Sequence, residues 1–104
     1  MSIVTVCNLE DLVDGQAARF DVDGARLCVV RIGADVLCVA DRCSHEDFSL
    51  SLGEVFADER EIECARHGAI FDLTTGEPCS LPATKAVAVY SAAVVEGRVE
   101  VELR

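Results

Sequence analysis

The sequence predicts an all-β protein whose small antiparallel sheets form a sandwich or a barrel-like base. Short runs rich in Val, Ile and Leu alternate between apolar and polar residues with a period of two, which is typical of half-buried strands. Glycine-containing dipeptides separate several of these runs, as hairpin turns require. No long segment has the 3.6-residue period of an amphipathic helix, and only the stretch 8–15 is expected to form a helical turn, which ends at Gly15.

The first half of the chain contains three predicted strands, at 18–22, 26–32 and 35–41, separated by Asp23-Gly24 and Gly33-Ala34. If the loop at 33–34 has two residues, Cys28 faces Val39 across the hairpin and Cys38 faces Val29. The two thiols then lie on opposite faces of the sheet and cannot form a disulfide. Both cysteines are therefore predicted to pack as small apolar core residues.

The second half of the chain is predicted to contain shorter strands, at 60–64 and 69–73. The apolar stretch 86–103 is expected to hold two strands around Glu96-Gly97 and a third before Ser91. The stretch 41–82 has more turn residues than its flanks, which indicates an insertion between strands of the base. We expect residues 1–104 to form a single domain.

Charge and composition narrow the function classes. Nineteen acidic and nine basic residues give a net charge of −10, which disfavours nucleic acid and anionic membrane surfaces and suits a partner protein with basic patches. No targeting segment or long apolar run is visible in the sequence, so the expected location is the cytoplasm. In that compartment the six cysteines are expected to be thiols or metal ligands before disulfides.

The two histidines of the chain each follow a cysteine closely, in Cys43-Ser44-His45 and Cys64-Ala65-Arg66-His67. Two thiolates and two imidazoles suit either Zn²⁺ or an iron–sulfur cluster. Zinc motifs usually group cysteine with cysteine and histidine with histidine, whereas here each motif carries one of each. A two-iron cluster with two Cys on one iron and two His on the other needs this mixture.

The motifs "CSHEDFSLSLGEV" and "CARHGAIFDLTTGEPCSLPAT" resemble those of Rieske proteins, in particular the ferredoxins that supply bacterial ring-hydroxylating dioxygenases. The resemblance extends over about 26–103 and includes Gly68, Phe71-Asp72, Thr75-Gly76 and a covering loop at Leu81-Pro82. It implies one [2Fe–2S] cluster, with Cys43 and Cys64 on the inner iron and His45 and His67 on the outer iron. It also implies a Rieske-type fold, in which the insertion at 41–82 is the cluster-binding subdomain.

The same resemblance implies an electron carrier and not an enzyme. The protein would be a monomer that receives one electron from a flavin-dependent ferredoxin reductase and passes it to a terminal non-haem iron oxygenase. No nucleophile–base pair is evident that would indicate catalysis by this chain itself. The acidic pair Glu46-Asp47 is either a docking contact for a partner or a solvated turn.

A low reduction potential is also expected. Respiratory and photosynthetic Rieske proteins resemble this chain at the ligands, but they join the two ligand loops by a disulfide, and Arg66 stands where the second loop would carry its cysteine. They also place Ser and Tyr hydroxyls near the cluster, where Ala69 and Phe71 stand here. Hydrogen-bond donors near sulfur stabilise the reduced cluster, so their absence lowers the potential.

Two alternatives remain at the level of sequence. One is a redox-sensing or iron–sulfur-assembly role for the same cluster, and the other is a Cys₂His₂ zinc module that organises a binding surface. The sequence assigns no role to Cys7, and Cys79 near the presumed covering loop is expected to be a filler residue, with a redox accessory role as the alternative.

Overall fold

The computed structural model describes residues 2–43, 48–66, 68–79 and 85–103. Within these ranges the chain forms nine strands: β1 (Ser2–Asn8), β2 (Ala17–Val22), β3 (Ala25–Ile32), β4 (Asp35–Ala40), β5 (Glu54–Phe56), β6 (Glu61–Glu63), β7 (Ile70–Asp72), β8 (Val89–Val95) and β9 (Arg98–Leu103). Two short 3₁₀ helices, Leu9–Asp11 and Leu50–Leu52, complete the regular structure. None of the helices in the described ranges is long and apolar enough to cross a membrane.

The strands form two antiparallel sheets. A six-stranded sheet has the order β1-β9-β8-β4-β3-β2, and a three-stranded sheet has the order β5-β6-β7. The larger sheet is the half-barrel base of the molecule, and the smaller one lies between β4 and β8 in the sequence. This arrangement confirms the predicted all-β class. The boundaries 41–82 for a cluster-binding subdomain stay a prediction.

The hairpin of β3 and β4 has the register that the sequence predicts. Cys28 pairs with Val39, and Cys38 pairs with Val29. Cys28 and Cys38 consequently lie on opposite faces of the sheet, in two different apolar cores. Both are buried free thiols, which confirms their predicted packing role.

Two of the tight turns depend on left-handed backbone conformations. Asp23-Gly24 joins β2 to β3, and Glu96-Gly97 joins β8 to β9, each between directly paired strand residues. Both residues of each dipeptide have positive φ, between 50° and 81°. A two-residue hairpin loop with two positive φ values matches the right-handed twist of the strands that it connects.

Some sequence predictions of the elements were wrong. The strand expected before Ser91 is not separate, because β8 runs continuously from Val89 through Ser91 to Val95. Its first two residues pair with β4 and the rest pair with β9, so one continuous strand pairs with two neighbouring strands. The helical turn expected at 8–15 ends earlier, since the 3₁₀ helix covers only Leu9–Asp11 and the backbone is extended again at Leu12.

Strands β3 and β4 separate two hydrophobic cores. One core contains Leu27, Val29 and Cys38 together with Val99 and Val101 of β9, and it fills the half-barrel. The other core combines residues of β3 and β4 with Leu50 and with residues of the small sheet; its buried members include Cys28, Val30, Val39, Leu50, Ile62, Phe71 and Leu73. Each buried aliphatic or aromatic side chain of this kind stabilises the fold by about 1.5–3 kcal/mol. The second core attaches the small sheet to the base, and we call it the loop-side core.

Candidate metal centre

Cys43 and Cys64 belong to the same loop-side core although 20 residues separate them in the sequence. Cys43 follows the end of β4, and Cys64 directly follows β6. Their exposed fractions are 2% and 1%, and neither is in a disulfide. The fold therefore brings together the two cysteines that the sequence analysis selected. His45 and His67, the other two predicted ligands, lie outside the described residues, as do the acidic pair Glu46-Asp47 and the predicted covering loop.

Each of the two cysteines is at the start of a backbone-closed loop. The Cys43 N–H donates to the Phe48 carbonyl oxygen at 2.9 Å, and the Cys64 N–H donates to the Ala69 carbonyl oxygen at 2.7 Å. The second loop is closed further by the Gly68 N–H, which donates to the Cys64 carbonyl oxygen at 2.9 Å. Gly68 has a φ of 76°, a conformation that glycine adopts without a steric cost. In both loops the predicted histidine lies, in sequence, between the two residues that close the loop.

The backbones of the two loop regions touch at Gly53. A Cβ atom at this position would overlap the carbonyl oxygen of Glu63, the residue before Cys64, and would lie 3.2 Å from the Leu50 carbonyl oxygen. Only glycine permits this approach of the segment after the first loop to the strand before the second. Gly53 thereby sets the spacing of the two cysteine-bearing regions.

Asp41 is the one buried charged residue among those described, and it lies two residues before Cys43. Its carboxylate is fully buried and accepts hydrogen bonds from the Ser51 N–H at 2.7 Å and from the Ser51 hydroxyl at 3.1 Å. The Arg19 Nε atom lies 3.7 Å from the same carboxylate. The sequence pattern places Asp41 only at the end of a strand. The one signal it offers is an acidic residue that terminates an otherwise apolar run.

The remaining cysteines differ in their surroundings. Burial raises the pKa of the Cys38 thiol to about 12. The pKa of the Cys28 thiol is also raised, by burial first and then by the negative charge of Asp41. Cys79 is exposed and Cys7 is half-buried. The expected filler role of Cys79 stays a prediction.

The residues present fit the cofactor that the sequence suggests. Two free cysteines buried in one core supply two sulfur donors without any competing disulfide, and thiolate donors suit iron–sulfur and zinc centres. In the part of the chain that the structure describes, no three Cys, His, Asp or Glu side chains gather into a metal site. The predicted set of Cys43, Cys64, His45 and His67 requires both histidines, which lie outside that part.

The family model for the Rieske [2Fe-2S] domain matches residues 2–91, so the chain belongs to this family. It carries one Rieske-type [2Fe–2S] cluster. The alternative of a zinc-binding structural module is therefore set aside.

Individual relatives are ferredoxins of dioxygenases, and they have nearly the same length as this chain. The chain is 32% identical over 103 residues to a protein named 3-phenylpropionate/cinnamic acid dioxygenase ferredoxin subunit from Shigella flexneri serotype 5b, covering 99% of this chain and 95% of the relative. Among solved structures, the ferredoxin of carbazole 1,9a-dioxygenase from Nocardioides aromaticivorans IC177 superposes with a TM-score of 0.96 at 36% identity, covering 100% of both chains. A chain from a complex of reduced oxygenase and oxidized ferredoxin in carbazole 1,9a-dioxygenase superposes with a TM-score of 0.87 at 36% identity, covering 98% of this chain and 97% of that one.

Proposed function

We propose that this protein is the electron-carrying ferredoxin of a ring-hydroxylating dioxygenase system. The observation that carries the proposal is the pair of buried, reduced cysteines at the start of two similarly closed loops, in a chain that aligns over its full length with such a ferredoxin. When bound, a Rieske cluster accepts and releases one electron. The chain is then an electron-transfer component of the system and not the enzyme that acts on the substrate.

The proposed ligands are Cys43 and Cys64 for the inner iron and His45 and His67 for the outer iron. Support for the two cysteines comes from their burial in the loop-side core, which keeps water from the sulfur atoms. Support for the two histidines comes from their position in sequence within the closed loops. The proposal also includes a single domain over 1–104 with the cluster-binding part at about 41–82.

The proposed partners are a flavin-dependent ferredoxin reductase as donor and a terminal oxygenase as acceptor, both met in the cytoplasm by a monomer. One of the solved relatives comes from a complex of a ferredoxin with an oxygenase, which supports the acceptor. The net charge of −10 fits partners with basic docking patches and speeds encounter with them by electrostatic steering. Nucleic acid and membrane surfaces are not expected partners of such a charge.

The experiment that tests this proposal is spectroscopy on ligand variants. We expect the wild-type protein to be brown and to give the low-temperature EPR signal of a Rieske centre after reduction by dithionite. Cys43→Ala, His45→Ala, Cys64→Ala and His67→Ala should each lose the signal. Cys28→Ala is the matched control, because it removes a buried thiol from the same core and should keep the signal.

A second measurement tests the role of the protein in the system. Product formation by a matched reductase and oxygenase should require this protein and should be absent with Cys64→Ala. A colourless zinc protein, or a Cys28→Ala variant that bleaches while Cys64→Ala does not, would contradict the ligand assignment. A Rieske signal without any support of oxygenase turnover would favour the redox-sensing or assembly alternative.

A further inference from the structure

Asp41 and Ser51 lie on the two sides of the first ligand loop and close it at its base. Asp41 precedes Cys43 by two residues, and Ser51 is in the 3₁₀ helix that follows the loop. One carboxylate oxygen accepts from the Ser51 N–H at 2.7 Å and the other from the Ser51 hydroxyl at 3.1 Å. The main chain of Asp41 is held as well, since its N–H donates to the Arg26 carbonyl oxygen at 3.0 Å. Both ends of the loop are thus fixed to each other.

The third contact of this carboxylate is with a guanidinium from the base. Arg19 on β2 places Nε 3.7 Å from Asp41 and also donates to the Ser49 hydroxyl at 3.2 Å. These three contacts of the Asp41 side chain are all with donor groups, and one of the donors is a cation, so they suit an ionised carboxylate.

A buried carboxylate is an energetically costly group with which to close a loop. Removing a carboxylate from water costs several kcal/mol, and apolar residues of similar volume usually stabilise a core at least as well. Asp41 is fully buried, its partner Arg19 is 42% exposed and also pairs with Asp21, and the Arg26 guanidinium donates to the Asp41 carbonyl oxygen at 3.1 Å. Stability alone therefore does not account for a carboxylate at this position.

We infer that Asp41 is a positioning residue for the cluster: it fixes the backbone that carries Cys43, and its charge, opposed by Arg19, sets the reduction potential. The inference rests on the proposed ligand role of Cys43. A buried negative charge is screened less than an exposed one and disfavours the gain of an electron nearby. Asp41 therefore lowers the potential, and Arg19 raises it.

The test compares holoprotein variants by protein-film voltammetry, by EPR of the reduced state and by the rate of cluster loss in the presence of a chelator. We expect Asp41→Asn to shift the potential to more positive values and Arg19→Gln to shift it to more negative values. Asp41→Asn should also lose its cluster about tenfold faster, because a charge-assisted buried hydrogen bond is weakened. The matched control is Asp21→Asn, whose carboxylate bonds the same Arg19 at 3.0 Å but is 63% exposed, and it should stay near the wild type.

Opposite shifts for Asp41→Asn and Arg19→Gln would support the inference, because a purely structural role does not predict opposite signs. An Asp41→Asn protein with the wild-type potential, EPR g-values and rate of cluster loss would overturn it, and so would a change in unfolding temperature alone. If Asp41→Asn fails to fold, Ser51→Ala decides: faster cluster loss with altered g-values supports the inference, and unchanged values overturn it. A wild-type protein without any Rieske signal would overturn the proposed function together with this inference, whereas a normal wild-type signal separates the two.

Discussion

Replacing Gly53 by Ala should show how closely the two loop regions must approach each other. The new methyl group would overlap the Glu63 carbonyl oxygen and lie 2.8 Å from its carbonyl carbon, where ordinary contacts begin at 3.4 Å. The neighbour is backbone and cannot rotate away, so β6 must shift outward. Insertion of a methyl group into a packed site costs about 1–3 kcal/mol of unfolding free energy, and we expect the upper end here. For a domain of this size about 3 kcal/mol lowers the melting temperature by roughly 12–24 °C.

The assay is thermal unfolding of the fully loaded protein followed by circular dichroism, together with its visible absorption spectrum. Gly33→Ala is the control, since Gly33 has a φ of 63° and no neighbouring atom within 4 Å. Its cost is only the left-handed backbone conformation, about 1–2 kcal/mol. Gly53 has a φ of −88°, which alanine adopts freely, so its cost is entirely steric. A Gly53→Ala protein as stable as Gly33→Ala, or more so, would refute the close approach of the two backbones.

Four further outcomes are expected. Cys28→Ala and Cys38→Ala should keep the cluster and lower the unfolding free energy by about 1–2 kcal/mol in denaturant titrations; bleaching of either would contradict their packing role. Iodoacetamide at pH 8 should modify Cys79 of the holoprotein, because it is exposed, although desolvation and Glu61 raise its pKa as well. It should spare Cys38, which is buried and whose pKa of about 12 leaves almost no thiolate; mass spectrometry of the labelled peptides would show the reverse if the core were open. Electron transfer to the oxygenase should slow as the salt concentration rises, because electrostatic steering by the charge of −10 is screened over about 10 Å at 0.1 M salt. Stopped-flow rates that do not depend on ionic strength would indicate apolar docking instead. The midpoint potential at pH 7 should be about −150 mV. The reason is that Ala69 and Phe71, both fully buried, have no side-chain hydrogen-bond donor. A midpoint potential above about +100 mV in voltammetry would contradict the role as an oxygenase ferredoxin.

The parts of the fold that sequence predicts well are those that short-range patterns specify. The register of β3 and β4 followed from a two-residue loop, and the faces of Cys28 and Cys38 followed from the alternation of side chains along a strand; the structure has this register pair for pair. The continuous strand β8 was divided wrongly because Ser91 resembles a turn residue, whereas its pairing with both β4 and β9 depends on strands distant in sequence. Strand β1 was not predicted, because its partner β9 lies at the other end of the chain.

The sequence also predicts the candidate site only in part. Cys43 and Cys64 stood out because each precedes a histidine at short spacing, and the structure places both in one core. Asp41 did not stand out, since its role depends on Ser51 and Arg19, which the sequence does not show as neighbours. A single sequence displays motif spacing, but it does not display which polar side chains fold inward and find partners.

Strands β3 and β4 have one face in each core, and the two cores share no residue. Mutations in the two cores that lie more than about 7–10 Å apart usually have additive effects on stability. The half-barrel can therefore accumulate substitutions, for instance around Val99 and Val101, without altering the surroundings of Cys43 and Cys64. Substitutions in the half-barrel core can then change thermal stability within one small domain while the residues around the two cysteines stay the same.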